Sequence, residues 1–249
     1  MAKTSVQWAR PMWKQQMTTE KEHRALLQPL LKRRSDLVYQ ERFLFFRPVG
    51  HYWRAAYFWK GSGREVELLS LAFPLFAGKF VSFIWGGGME EEANHRLHPP
   101  WDDPQRAAAE FSDFVEHEVL PCISEIVNPE EMAKRPQYGR PHLDPLFDAC
   151  FYGDFDEAER RAVSYADWHG PVTGHWTDTG YVHEPYSIDL ATDNHRLSDD
   201  AAWRVAYLAR LLQTDRSRVP ALLHDWEEHT AKKFGVRKYW ARTPFPYEM

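Results

Sequence analysis

Residues 37–59, LVYQERFLFFRPVGHYWRAAYFW, decide the fold class of this chain. Aromatic and aliphatic residues dominate two runs in it, LVYQERFLFF and YWRAAYFW, and this composition is typical of β-strands. Pro48-Val49-Gly50 separates the runs. Because this break is too short for a parallel crossover, the two runs predict neighbouring antiparallel strands.

Two more strand-like runs follow, VELLSLAFPLF at 66–76 and FVSFIW at 80–85. The breaks before them, Gly61-Ser62-Gly63 and Ala77-Gly78-Lys79, are also short and turn-like. The sequence therefore predicts a four-stranded antiparallel meander.

Amphipathic helices flank the predicted meander. Thr19 and Glu22 have the spacing of a capping box, and the leucines after them recur at helical intervals, so we expect a helix over 20–33, kinked by Pro29. A second helix, bent by Pro121, is predicted over 104–127. Its apolar stripe would cover the sheet: Phe111, Phe114, Val115, Val119, Cys122 and Ile126.

The second half of the chain has the pattern of helical hairpins. We expect a hairpin with its turn at Gly153 and Asp154, and a second that begins at an N-cap, Ser198, and ends at Gly235. The predicted fold class is α+β, a four-stranded antiparallel meander covered by helices and followed by an all-α region of helical hairpins. The predicted domains are an N-terminal arm at 1–18, a sheet domain at 19–135, a helical-hairpin domain at 136–235 and a C-terminal tail at 236–249.

Composition narrows the class of function. The 249 residues carry a net charge of −5, which argues against general nucleic-acid binding. Nucleic-acid binding through a basic cluster near the C-terminus is the least favoured function: Lys232, Lys233, Arg237, Lys238 and Arg242. No apolar run reaches the roughly 20 residues that a membrane helix needs. We expect a cytoplasmic protein that begins at Met1 or Met17, with Cys122 and Cys150 as buried thiols.

One polar stretch, HGPVTGHWTDTGYVHEP at 169–185, raises the possibility of a metal site. Its imidazoles and carboxylates are zinc or iron ligands by type: His169, His175, Asp178, His183 and Glu184. Their spacing matches no defined ligand motif. A metal-dependent hydrolase is one interpretation, and a polar connection between helices is the interpretation that we expect.

Other catalytic signatures are missing from the sequence. In LLHDWEEHT, 222–230, we expect His224 and Glu228 to face outward as a surface pair and His229 to pack inward. The glycine-rich breaks lack the spacing of a nucleophile elbow, a phosphate loop or a dinucleotide site. We therefore predict no catalytic residue and no cofactor.

The aromatic residues raise a different question, because one covering helix cannot hide both faces of so aromatic a sheet. We expect the helical half to cover the second face. The tail RKYWARTPFPYEM, 237–249, cannot be helical around Pro244 and Pro246. It carries four aromatic candidates for partner binding, Tyr239, Trp240, Phe245 and Tyr247. We expect them to dock on their own chain or in a partner's groove, self-docking being the favoured alternative.

Several segments carry a resemblance to a group of uncharacterised bacterial proteins. They are LQPLL at 27–31, RPVGHYWRAAYF at 47–58, VLPCISEIVNPEEM at 119–132 and GDFDEAERRA at 153–162. The chain resembles proteins that join a small helix-sheet-helix domain to tetratricopeptide-like helices. The resemblance implies an immunity or adaptor protein of a bacterial conflict system. We therefore expect a non-catalytic protein whose partner is another protein.

Overall fold

The computed structural model describes residues 18–60, 64–77, 94–134, 144–169, 173–177, 180–184, 188–190, 196–198 and 200–249. Within these ranges, none of the helices combines the length and the apolar character that a membrane crossing requires. Residues 1–17 of the predicted N-terminal arm, Met17 included, the predicted strand at 80–85 and the predicted boundary at residue 135 lie outside them.

The described chain is α+β. Its strands are β1 (Leu37–Gln40), β2 (Phe43–Phe46), β3 (Tyr52–Lys60), β4 (Val66–Pro74), β5 (Asn94–Leu97), β6 (Thr173–Thr177) and β7 (Gly180–Glu184). Its α-helices are α1 (Glu20–Arg33), α2 (Pro104–Phe114), α3 (Leu120–Ser124), α4 (Pro129–Ala133), α5 (Asp144–Tyr152), α6 (Phe155–His169), α7 (Ala201–Thr214) and α8 (Val219–Lys233).

The main sheet is an antiparallel meander of five strands in the order β1-β2-β3-β4-β5. The predicted number of four strands was wrong, partly because 37–46 folds as a hairpin instead of one strand. Glu41 and Arg42 form its two-residue turn with φ of 49° and 69°. Left-handed backbone at both turn positions usually takes glycine or asparagine, and Glu41 and Arg42 carry no such turn signal. The fifth strand, β5, is polar, and no strand was predicted over its residues.

α1 confirms the predicted helix and its cap. The side chain of Thr19 accepts the Glu22 amide, and Glu22 reaches back to the cap backbone. The kink-prone turn at Pro29 is bridged by Ser112, which is buried. Its hydroxyl donates to the Leu26 carbonyl oxygen at 2.8 Å and accepts the Leu30 amide at 3.3 Å. One side chain of α2 is therefore inserted between two backbone groups of α1 that lie four positions apart beside Pro29.

The predicted second long helix has three parts. α2 passes into a π-helical turn, Val115–Val119, and then into α3. A π-turn just before Pro121 widens the helix where the proline removes a backbone donor. The apolar stripe packs on one sheet face as predicted, with the exception of Cys122, which is only partly buried. Its thiol donates to the Glu118 carbonyl oxygen, and Ile123 takes the inner position.

The other sheet face confirms that the helical half covers it. Trp53 is fully buried there, and its ring centroid is 4.8 Å from that of Phe43 and 4.8 Å from that of Phe234. Ala231 of α8 and Val236 complete this cover. A further cluster joins Tyr52 and Phe76 of the sheet region to the cores of α5–α8. The domain boundary near residue 136 stays a prediction, and buried contacts connect the residues on either side of it.

The second half follows the predicted hairpins with two corrections. Gly153 and Gly235 end their helices at φ of 76° and 68°, as C-terminal glycines do. The N-cap of α7 is Asp200, which accepts the Ala202 amide, whereas the predicted cap Ser198 accepts the amide of Asp200. The region is also not all-α, because β6 and β7 form a two-stranded hairpin between α6 and α7.

Candidate binding groove and tail pocket

A groove lies between α6 and α7, and an ion-pair cluster fixes one end of it. Arg216, just beyond the end of α7, pairs with Asp156 at 2.7 Å and Glu159 at 2.6 Å near the start of α6. The two helices therefore run antiparallel. Capping by Asp154, whose side chain accepts the Glu157 amide, sets where α6 begins and hence the register of the groove.

The floor of the groove is made of small side chains. Ala166, Ala206 and Ala209 are buried, and Val163 and Ile188 are partly buried beside them. Since alanines on facing helices leave space that larger residues would fill, a hollow of about 320 Å³ remains. A neighbouring hollow of about 540 Å³ shares Val163, Asp167 and Gln213 and continues toward Asp156 and Arg216.

Two opposite charges stand on the rim of the narrower hollow. Asp167 of α6 and Arg210 of α7 are exposed and line it together with Gln213. Among the described residues neither charged group has an ion-pair partner, whereas Arg216 is paired with two carboxylates. The groove thus offers an apolar floor, one unneutralised cation, one unneutralised anion and an amide. These groups can bind a polypeptide segment that carries complementary charge.

Four of the five predicted metal ligands lie in helices or strands of the described chain, and the fifth lies outside the described residues. His169 ends α6, His175 lies in β6, and His183 and Glu184 lie in β7, while Asp178 lies outside the described residues. In the hairpin register His175 pairs with Val182 and His183 pairs with Gly174, so these two histidines are not directly opposite each other. In the described part of the chain no group of three or more metal-ligating side chains could hold an ion. A site built with Asp178 stays a prediction.

The four aromatic residues of the tail pack on their own chain. Tyr239 and Trp240 pack against the cluster of Phe45, Val49 and Trp53. Phe245 is fully buried, and Tyr247 stacks on it with ring centroids 5.8 Å apart and planes 3° apart. Backbone bonds between Val49 and the chain at Tyr239 and Ala241 hold the start of the tail to the sheet region. The structure therefore shows the self-docking alternative, and a role of these rings toward a partner stays a prediction.

A chain of ionisable side chains lies beside Phe245. The buried carboxylate of Glu227 accepts from His51 Nδ1 at 2.6 Å and faces His224 Nδ1 at 3.0 Å. His224 Nε2 is 3.0 Å from Glu248 Oε2 on the tail. The prediction that His224 faces outward was wrong, because it is only 2% exposed. The i, i+3 spacing of His224 and Glu227 marks one helix face, but nothing in the sequence signals the distant partners His51 and Glu248.

The electrostatics of this chain favour a charged His224. Burial by itself would lower the pKa of His224, but hydrogen bonds to Glu227 and Glu248 outweigh it and raise that pKa. Partial burial would raise the pKa of Glu248, but the Phe245 amide and His224 lower it. A pair with both members ionised is therefore the stable form of this contact.

Thr243, His51 and Glu227 have the order of a nucleophile, a base and an orienting carboxylate. Thr243 Oγ1 is 3.2 Å from His51 Nε2, but the Pro244 carbonyl oxygen is 3.3 Å from the same nitrogen. The nitrogen therefore faces a carbonyl acceptor as well as the hydroxyl, so it is not directed at Thr243 alone as a general base would be. The arrangement holds the tail in place and does not support nucleophilic catalysis.

The remaining candidate groups are accounted for by local contacts. Arg237 of the basic cluster pairs with Glu228, and the Lys238 ammonium lies 4.8 Å from the centre of its neighbour's ring, that of Tyr239. Both cysteines are free thiols. Complete burial raises the pKa of Cys150 to about 12, which makes it unreactive as a thiolate at neutral pH.

Comparison of the chain with protein-family models, with curated proteins and with solved structures found no match.

Proposed function

We propose that the protein binds another protein without catalysis, by holding an extended polypeptide segment in the groove between α6 and α7. The observation that carries this proposal is the pair of unneutralised opposite charges, Asp167 and Arg210, above a floor of alanines. Unpaired rim charges set partner choice and association rate in protein interfaces, and an apolar floor supplies the buried area.

The occupant that fits this groove is a segment with small apolar side chains and an acidic residue. Its carboxylate would pair with the Arg210 guanidinium, its backbone N–H groups or a basic residue would face Asp167, and Gln213 would bond the peptide backbone. Small apolar side chains can approach the alanine floor closely, because no larger side chain of the floor stands in their way. The neighbouring hollow of about 540 Å³ would take the next part of the segment.

We extend the proposal to an immunity or adaptor role in a bacterial conflict system and to a cytoplasmic location. The first rests on the resemblance of the helical-hairpin segment GDFDEAERRA to tetratricopeptide-like helices. The second rests on the two free thiols, which suit a reducing compartment. Cofactors have no part in this proposal.

Selection from a random-peptide display library tests the groove directly. We expect the protein to enrich peptides that combine acidic and small apolar residues. Arg210→Glu should weaken their binding by about tenfold or more, equivalent to about 1.4 kcal/mol, because it places like charges face to face. Lys32→Glu on α1 is the matched control, since it makes the same charge change on an exposed residue of another helix. Absence of enrichment, or equal binding by Arg210→Glu and wild type, would contradict the proposal.

A further inference from the structure

The contact between His224 and the tail requires a proton that the surroundings cannot replace. His224 is buried, and each of its ring nitrogens is 3.0 Å from a carboxylate oxygen, one of Glu227 and one of Glu248. A neutral imidazole has one N–H and one lone pair, so one nitrogen would then direct its lone pair at a carboxylate. Only the imidazolium donates to both partners.

The two carboxylates that contact His224, those of Glu227 and Glu248, are not equivalent. This difference decides which hydrogen bond breaks when His224 loses its proton. Glu227 is fully buried on α8, the same helix as His224, and its second oxygen holds His51 at 2.6 Å. An unpaired buried carboxylate is costly, so a neutral His224 keeps its single N–H on Glu227. The lone pair then faces Glu248, whose side chain is 24% exposed and whose carboxylate can be solvated once the contact opens.

The charged groups near His224 come from three elements. α8 contributes Glu227, the segment before β3 contributes His51, and the tail contributes Glu248 and Arg242. Phe76 and Phe151 supply uncharged rings beside His51. Arg242 opposes the charged form of His224, whereas the two carboxylates favour it. Arg242 also favours the ionised form of Glu248, but among the described residues no hydrogen bond or ion pair joins Arg242 to Glu248, so Arg242 does not replace the bond from His224.

The same contact holds the apolar part of the tail. Glu248 Oε2 also accepts the Phe245 amide at 2.8 Å and so closes the turn that aims the Phe245 ring inward. That ring stacks on His51 with centroids 4.3 Å apart and lies 4.7 Å from the His224 ring. Loss of the contact between Glu248 and His224 therefore weakens both the turn at Phe245–Glu248 and the packing of the Phe245 ring.

We propose that the segment Thr243–Met249 is a pH-operated strap, which is docked while His224 is protonated and is released when His224 loses its proton. Release uncovers an aromatic pocket formed by His51, Phe76 and Phe151 and frees the aromatic residues of the tail. The strap is therefore a switch between a closed surface and a surface that a partner can enter.

The direction of the switch follows from the shifts of both groups. The raised pKa of His224 gives docking a contribution that is complete below about pH 6.5, its ordinary value, and that is lost as pH rises through the raised value. The lowered pKa of Glu248 gives a contribution that is complete above about pH 4.5 and is lost only as pH falls through the lowered value. Docking is therefore strongest between these two limits.

Fluorine NMR of the full chain with 4-fluorophenylalanine at position 245 tests the strap. In the wild type we expect separate docked and released signals, with the released-to-docked ratio rising at least tenfold between pH 6 and pH 9. Burial raises the pKa of Tyr247, so the phenol stays neutral through this range. Circular dichroism at the same pH values should show that the rest of the fold persists.

Two variants make the test specific. Glu248→Gln should show a smaller rise of the released-to-docked ratio between pH 6 and pH 9, because it removes the carboxylate that contacts the protonated His224 from the tail. His224→Gln should show a ratio independent of pH. His98→Gln, at an exposed histidine, is the control and should titrate like the wild type. A wild type that stays docked to pH 9, or a His224→Gln variant that keeps the wild-type response, would overturn the proposal.

Discussion

The sheet core and the tail pocket each bury a histidine, and they do so by opposite electrostatic means. His23 of α1 is fully buried, with Nε2 bonded to Thr18 Oγ1 at 3.0 Å and Nδ1 without a hydrogen-bond partner among the described residues. Burial and the nearby Arg42 lower the pKa of His23 to about 4, so this ring is neutral. His224 is held as a cation between two carboxylates. The sheet core therefore contains a neutral histidine, whereas the contact in the tail pocket depends on a protonated histidine.

Because of this difference, we expect acid to destabilise the sheet core and base to destabilise the tail pocket. Acid protonates His23 in a place that offers no acceptor for the new proton, so it destabilises the sheet core. Base removes the proton on which the tail contact depends. The sheet core unfolds together with the rest of the protein, whereas we expect the tail to detach alone. A substitution in the tail pocket should therefore lower the free energy of unfolding by no more than the free energy with which the tail docks.

The largest expected effect is in the sheet core. Phe58→Ala should lower the free energy of unfolding by about 3 to 5 kcal/mol, because the ring is fully buried and packs between Tyr39, Phe111 and His23. Urea denaturation measures the change. Trp59→Ala, the next residue on the strand and 38% exposed, should cost about 1 kcal/mol or less. Equal costs for the two substitutions would mean that the sheet core is not the rigid region of this comparison.

The next effect is the acid sensitivity of the same core. The unfolded chain binds a proton at His23 below about pH 6.5, whereas the folded chain binds it only near pH 4, so stability falls as pH falls through this window. The contribution is roughly 3 kcal/mol, since one pKa unit corresponds to about 1.4 kcal/mol. His23→Phe should remove this part of the pH dependence and also the unpartnered nitrogen.

Urea denaturation of the wild type and His23→Phe at several pH values between 4 and 7 gives the measurement. The difference between the two proteins isolates His23 from the carboxylates that titrate in the same range. His98→Gln should follow the wild type, because His98 is exposed. Parallel curves for the wild type and His23→Phe would show that His23 is not held neutral.

How far the sequence predicts each region follows from the range of the interactions involved. The cap of α1 and the stop at Gly235 depend on residues a few positions apart, and both were predicted. The split between β1 and β2 was missed, because Glu41 and Arg42 adopt a turn conformation that their side chains do not favour. Here the pairing of neighbouring strands overrides local preference.

The candidate sites depend on long-range contacts and were predicted least well. His224 was assigned to the surface from the pattern of one helix, but His51 and Glu248, which lie far away in the chain, pair with Glu227 and His224 in the pocket. The groove likewise needs two helices whose alanines face each other, and neither helix signals this alone. The tail was the exception for docking, since its aromatic residues predicted a docked segment. The predicted extended geometry was wrong in part, because 3₁₀ turns form at Arg237–Tyr239 and Pro246–Glu248.

The smallest effect concerns the place where the tail meets the turn between α5 and α6. Deletion of residues 240–249 should lower the free energy of unfolding by about one to a few kcal/mol, since Phe245 and Tyr247 lose their burial. Gly153 has φ of 76°, and a Cβ built there would lie 2.7 Å from the Tyr247 ring. Gly153→Ala should therefore cost about 1 to 2 kcal/mol for backbone strain in either protein. In the full chain it should add a penalty of about 1 kcal/mol for displacing Tyr247.

A double-mutant cycle in urea separates these two terms, because only the second disappears when the tail is deleted. Gly50→Ala is the matched control, since its Cβ would lie an ordinary 3.7 Å from Thr243 Oγ1 and should not couple to the deletion. Zero coupling at Gly153 would mean that Tyr247 does not rest on this turn, and a deletion without cost would mean that the tail adds nothing to the fold. Either result would contradict the tail pocket as described. Coupling at Gly153 alone would establish that the tail is held by packing at Tyr247 as well as by charge at Glu248.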